Sequence, residues 1–145
     1  MHHIKVPLSI TLPRKKVKDK KVSLNLNTYR NLHRFTEHES KDAYTNYLWD
    51  LLRSLDLRDS RIYIYYEIWY GRGGRHDKWN VVSIVQKYFL DALSYYWCVE
   101  DDNDDNIGME ASSVWGIDKS DPHCDIFITH DKRDYLRLIT NKLWK

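Results

Sequence analysis

The sequence predicts an α/β (α+β) fold, a small mixed β-sheet flanked by helices, in a single domain over residues 1–145. Three observations carry this. A chain of 145 residues and 17.6 kDa has the size of one ordinary domain. Segments alternating every second residue interleave with segments spaced by three and four, without the regularity of repeated βαβ units. No internal repeat and no linker divides the chain.

The elements follow in order. Residues 4 to 12, IKVPLSITL, are rich in β-branched types and read as a strand whose Pro7 suits an edge or a bulge. A basic loop over 14–22 comes next. Residues 41 to 57 place Ala43, Tyr44, Tyr47, Leu48, Leu51, Leu52 and Leu55 on one side of an amphipathic helix, with Ser40 as its N-cap. Residues 61 to 69, RIYIYYEIW, are the clearest strand. The glycines at 71, 73 and 74 end it, and Asp77 caps a long helix that begins near Lys78 and runs to Trp97. That helix carries a narrow polar stripe of Asn80, Ser83, Lys87 and Asp91. After a turn at 100–107, residues 108–117 and 124–130 read as strands. The tail, 131–145, is a last amphipathic helix.

Composition narrows the function classes. A hydrophobic share of 42% with 14% aromatics argues against disorder, while 30% charged residues and a mean hydropathy of −0.68 describe a surface made for water. No stretch reaches the ~18 apolar residues of a membrane span, and the start MHHIKVPLSITLP lacks the apolar core of a signal peptide. The expectation is a cytoplasmic protein with no membrane partner. Cys98 and Cys124 are too few for a disulfide framework and read as two buried, reduced thiols.

Charge is unevenly placed. Residues 14–21, RKKVKDKK, hold six cations against Asp19, a balance of +5, while residues 99–125 hold nine carboxylates against Lys119, a balance of −8. The basic run is either a solvated loop or an arm that neutralises phosphates, with Arg30, Arg34, Arg72 and Arg75 in support. Carboxylates repel phosphate unless a cation sits between them, so the two blocks together suggest a divalent metal beside a phosphate surface.

Asp77 precedes the long helix and Asp101 and Asp102 follow it, so a ~20-residue helix holds them about 30 Å apart along its axis. They meet only if the acidic turn reverses into a strand beside residues 61–69, whereupon hard oxygen ligands would surround a space suited to Mg²⁺. The competing reading of DDNDDN is an acidic surface turn. It is not a calcium loop, since Asn106 and Ser112 stand where Gly and Glu belong. GRGG lacks the following lysine of a phosphate-binding loop. The histidines, at 2, 3, 33, 38, 76, 123 and 130, have no zinc spacing with the cysteines and read as tail, loop or surface residues.

Several pieces, in order, resemble the RusA family of Holliday junction resolvases from bacteria and their phages. They are Ser9-Ile10-Thr11-Leu12-Pro13, Asn27-Thr28-Tyr29-Arg30, the D-x-x-N of Asp77 to Asn80, K-x-x-x-D-A-L at Lys87 to Leu93, and the pair Asp101-Asp102. The phage-borne branch is closest, through N-V-x-S-I-V-x-K-x-x-x-D-A-L at Asn80 to Leu93 and G-x-D-K-x-x-P at Gly116 to Pro122. The likeness spans roughly residues 6–129 and leaves the tail helix aside.

The resemblance implies a homodimer that binds four-way (branched) DNA and cuts it with Mg²⁺, in recombination and repair in a bacterial or phage-infected cell. It implies Asp77, Lys87 and Asp102 as catalytic residues, with Asp77, Asp101 and Asp102 around the metal. Lys87 would stabilise transition-state charge or orient the water. Arg14, Lys15, Lys16, Lys18, Lys20, Lys21, Arg30, Arg72 and Arg75 would hold backbone phosphates without reading bases. A further family aspartate belongs two residues after the first, where this chain has Trp79; Glu67, Asp91 and Asp101 are candidate replacements. The alternative is a junction-binding protein on the same scaffold whose cleavage has lapsed with Trp79. A third reading is an unrelated interaction protein that presents the aromatic strand and tail helix to a protein partner.

Overall fold

Residues 4 to 12 form two strands rather than one. His2–Pro7 (β1) buries Ile4 and Val6, and Ser9–Leu12 (β2) buries Ile10 and Leu12. Pro7 has no amide proton to carry the ladder on, and the chain bends at Leu8 into a second sheet. The basic segment is the tip of a hairpin: Lys20–Ser23 (β3) pairs antiparallel with β2, Ser9 opposite Ser23 and Leu12 opposite Lys20. The structure is a computed structural model and describes residues 1–74 and 76–143.

Leu26–Asn31 (α1) is too short to show a period in sequence; Asn25 caps it by accepting from the Thr28 amide at 2.8 Å. Arg34–Leu52 (α2) starts earlier and ends earlier than the apolar spacing predicts, and His33, not Ser40, is its N-cap. Ser40 is buried inside the helix, its hydroxyl 2.9 Å from the Glu37 carbonyl and 3.1 Å from the Tyr88 hydroxyl. A polar residue in a helix interior resembles a cap in sequence when its partner lies on another element.

Ile62–Tyr70 (β4) and Lys78–Tyr95 (α3) lie where expected, and Asp77 does cap α3, accepting from the Trp79 amide at 3.0 Å. Ile107–Ile117 (β5) pairs parallel with β4, Ile62 opposite Ile107 and Tyr70 opposite Ile117, so β4, α3 and β5 form a crossover unit. His123–Thr129 (β6) lies antiparallel between β1 and β4, which gives the sheet order β1-β6-β4-β5. Lys132–Leu143 (α4) packs on β4 and β6.

Strand alternation sorts the sheet into two faces. Ile4, Val6, Ile64, Tyr66, Ile68, Cys124, Ile126 and Ile128 join Tyr44, Leu48, Val85, Phe89 and Leu93 of the helices in one core. The other face carries Tyr63, Glu67, Trp69, Asp125 and Phe127, and α4 covers part of it, Tyr135 lying 5.6 Å from Tyr63. Both cysteines are free and buried. No helix among the described residues is long and apolar enough to cross a membrane.

Candidate functional site

The direction of β5 decides where the acidic residues go. Because β5 runs parallel to β4, the turn at 100–106 sits at the Ile62 end of the sheet, while the loop leading to Asp77 leaves from the Tyr70 end. Asp77 caps the first turn of α3, and the cleft holding Asp101 and Asp102 is lined by Asp91, Ser94 and Tyr95. Fourteen helical residues from Asp77 to Asp91 span about 21 Å. The expected meeting of Asp77 with Asp101 and Asp102 is therefore not made: the acidic turn does reverse into a strand beside β4, but that strand runs parallel to β4 and keeps the turn at the far end of α3.

Part of the expected set does assemble. An open cleft of about 870 Å³ between α2 and α3 is lined by His38, Lys41, Asp42, Asp91, Asp101 and Asp102, among others. Lys41 Nζ lies 2.9 Å from Asp91 Oδ2, and Lys87 Nζ lies 3.9 Å from the same oxygen. Lys87 thus lies within ion-pair reach of Asp91, one helical turn away, as in an ordinary surface pair. Of the suggested replacement carboxylates, Glu67 is buried on the far face of the sheet, paired with Lys142 at 3.1 Å.

The cations form a more continuous feature. Lys15, Lys16, Lys18, Lys20 and Lys21 are exposed along the hairpin and take no part in the ion pairs of the described residues, whereas Arg14 is held by Glu39 at 3.0 Å. A second cleft, of about 450 Å³, continues from the hairpin: Lys21 and Ser23 line it with Arg72, His76 and Lys119. His76 stacks on Tyr70 at 3.8 Å and lies 2.8 Å from the Arg72 carbonyl, which fixes the loop after β4. Gly71 permits Pro122 to approach, since a Cβ there would lie 2.6 Å from Pro122 Cγ, and Gly74 has φ +106°, where glycine is favoured. Arg30 stands exposed in α1, away from this cleft's lining, and Arg75 lies outside the described residues.

The loop that brings Lys119 to the cleft carries Asp118 and Asp121, and His123 follows at the start of β6. One ligand atom from each of Asp118, Asp121 and His123 lies within 4.8 Å of the others, a group that could hold a metal ion. Asp118 accepts from the Ser120 hydroxyl and the Asp121 amide, and the Ser120 bond leads in holding its carboxyl below the usual range. His123 Nε2 lies 3.3 Å from Asp125 Oδ2, which also accepts from the Trp69 indole at 3.1 Å. His123 Nδ1 lies 2.6 Å from the Asp121 carbonyl and would have to release it to bind a cation. Lys5 is bonded to Asp121.

No family model matches the chain. Nor does any curated protein. Geometry alone must then judge the metal. A nitrogen beside two carboxylates is a donor set that Zn²⁺ takes readily, while Mg²⁺ is usually bound through oxygen. The group at 118–123 could hold a metal ion, whereas Asp77 with Asp101 and Asp102 offers one no common space. A zinc spacing between histidines and cysteines does not reveal this group; the D-x-x-D-x-H spacing of Asp118, Asp121 and His123 is its signal in the sequence. His123, expected as a tail, loop or surface residue, is the first residue of β6 and only 7% exposed.

Proposed function

We propose that the protein binds branched DNA through its basic hairpin and the adjoining cleft, as a junction-binding protein that does not itself cut. One observation carries this: a run of exposed lysines from Lys15 to Lys21, in no ion pair among the described residues, leads directly into a cleft lined by Arg72 and Lys119. Such a surface neutralises phosphates without base readout, which suits a substrate known by its shape. Two observations support binding over cleavage. Trp79 stands 64% exposed where the resembling family has an aspartate, and Asp77 lies an α-helix away from Asp102. A divalent ion accompanying the complex would have its donors in Asp118, Asp121 and His123, at the rim of the same surface.

The test is fluorescence anisotropy with a synthetic four-way junction and a duplex of equal length, followed by incubation with Mg²⁺ and separately Mn²⁺. Tighter binding to the junction, with intact strands throughout, is the expected result. Equal affinity for both forms, or none for either, would overturn the proposal.

A junction-cleaving enzyme is the second reading. It is favoured by Asp91, Asp101 and Asp102 sharing one open cleft with Lys41. Metal-dependent cuts that vanish in Asp102→Asn, with binding retained, would select it.

A further inference from the structure

The group at 118–123 has surroundings that an ordinary surface cluster lacks. His123 sits where β6 lies between two other strands, opposite Pro7 of β1 and Trp69 of β4, so its backbone is held from both sides. Its ring stacks within 16° of the Trp69 ring plane, with centres 5.8 Å apart. Asp125, two residues on, shares that face of β6. Its Oδ2 lies 3.3 Å from His123 Nε2 and accepts from the Trp69 indole at 3.1 Å, while its Oδ1 lies 2.8 Å from His3 Nε2. The histidine is therefore aimed by a carboxylate that two other rings hold in place.

What the ring faces points to a cation. A neutral imidazole carries one N–H and one lone pair, yet both nitrogens of the buried His123 have only oxygen acceptors as hydrogen-bonding neighbours among the described residues. Nε2 meets the Asp125 carboxylate, and Nδ1 meets the Asp121 carbonyl at 2.6 Å, with Asp118 Oδ2 at 3.9 Å. Whichever nitrogen holds the proton, the other turns a lone pair toward an oxygen, and a positive charge between them removes the conflict. Asp118 is arranged to match. Its Oδ1 accepts from the Ser120 hydroxyl at 3.0 Å and the Asp121 amide at 3.1 Å, which leaves Oδ2 toward the ring. An imidazole that donates one N–H to a carboxylate and offers its other nitrogen outward is the usual form of a metal-bound histidine.

We propose that Asp118, Asp121 and His123 form a zinc site that locks the loop at 118–122 to the sheet, with Asp125 as the positioning residue for His123. Nε2 keeps its proton for Asp125, and Nδ1 exchanges the Asp121 carbonyl for the ion. Two carboxylates balance the charge of Zn²⁺, and a water completes a four-coordinate site. The three donors lie within 4.8 Å of one another, against ~3.4 Å between neighbouring ligands of tetrahedral zinc, so binding draws the exposed Asp121 inward and shifts its bond with Lys5. The site shares no residue with the acidic set that the RusA resemblance implies. The loop it closes also carries Lys119 to the cleft beside Arg72, so zinc should steady that cation for phosphate; this consequence alone rests on the DNA-binding reading.

The experiment is isothermal titration of Zn²⁺ into the chelator-treated full chain, with one ion bound per chain expected. Two readouts need no variant: Co²⁺ in place of zinc should give the visible absorption of a four-coordinate site, and amides of residues 118–123 should gain protection from hydrogen exchange when zinc is added. Asp121→Asn, at an exposed position, is expected to keep the circular dichroism spectrum of the wild type and to weaken zinc binding by at least about tenfold. Asp125→Asn should weaken it by about tenfold to a hundredfold and alter the Co²⁺ absorption, and Asp125→Glu should recover part of the loss. His2→Gln, near the chain start, should bind as the wild type does. A wild type that takes up no zinc, a folded Asp121→Asn chain or an Asp125→Asn chain with unaltered affinity, loss of binding in His2→Gln, or uptake without added protection at 118–123 would each overturn the inference. Zinc held at this group by a chain that ignores junctions would keep the site and remove the DNA reading. Junction preference in a chain that takes up no zinc would do the reverse.

Discussion

Tyr66 donates its hydroxyl proton to Glu110 Oε1 across 2.8 Å, and Gln86 donates to the other carboxylate oxygen across 2.6 Å. This places a carboxylate between α3 and the sheet with both oxygens satisfied. Burial nevertheless raises the Glu110 carboxyl above its ordinary value of 4.5, with the two hydrogen bonds opposing the shift. The folded state therefore holds this proton more tightly than the unfolded chain. Its contribution to stability falls as pH rises from 4.5 through the folded value, and is constant above it. Glu110→Gln should be more stable than the wild type at neutral pH, provided the Gln86 amide turns its oxygen toward the new one, and should lose that slope. Urea melts at several pH values measure both.

On the opposite face, Glu67 is 3% exposed and its Oε2 lies 3.1 Å from Lys142 Nζ. The ammonium also sits 4.7 Å from the Trp115 ring centre, which ties α4 to β4 and β5. Lys142→Met leaves a buried carboxylate without its counter-ion and should cost about 2–3 kcal/mol, less than for a fully buried pair because Lys142 is partly wet. Adding Glu67→Gln should recover most of the loss. Thermal unfolding of the two variants checks the pair, and recovery failing to occur would show that Lys142 acts through packing alone.

Gly71 lies under Pro122, and a methyl group there would need the proline ring to move. Gly71→Ala should cost about 1–3 kcal/mol, and Pro122→Ala should relieve it. The same contact joins the loop bearing Arg72 to the loop bearing Lys119, so the variant should also weaken DNA binding more than its stability loss explains. Anisotropy well below the melting temperature separates the two effects.

What the sequence made legible depended on how local the determining contact was. Asp77 is legible as a helix cap because an N-cap acts on amides two or three residues away. Ser40 only resembles a cap, because one of its two partners, the Tyr88 hydroxyl, is 48 residues distant. The strands at 62–70, 107–117 and 123–129 were visible in their alternation, yet their pairing was not, since period two is shared by parallel and antiparallel ladders. That one unreadable choice, β5 parallel to β4, decided the fate of the acidic site. The exposure of the basic segment, expected as a loop, does not depend on it, because a lysine run needs no tertiary detail to face water.

The two thiols give a chemical check on the core. Burial pushes the Cys98 thiol up to about 11 and Cys124 higher still. Since the thiolate is the reacting form, neither should be alkylated at neutral pH in the native protein. Both should react on denaturation. Rapid native labelling of Cys124 would contradict its place between the sheet and the helices.

The hairpin makes a quantitative prediction for binding. Each phosphate neutralised contributes about −0.9 to the slope of log K against log salt. Lys15, Lys16 and Lys18 stand at the tip, exposed and outside the ion pairs of the described residues. Replacing all three with Glu should flatten the slope by about 2.7 if each holds one phosphate, and stability should change by less than about 0.5 kcal/mol per site, as surface positions do. The junction-to-duplex preference should persist, because the cleft at Arg72 and Lys119 is untouched. An unchanged slope in the triple variant, with affinity intact, would show that DNA bypasses the hairpin and that the cations at the cleft act alone.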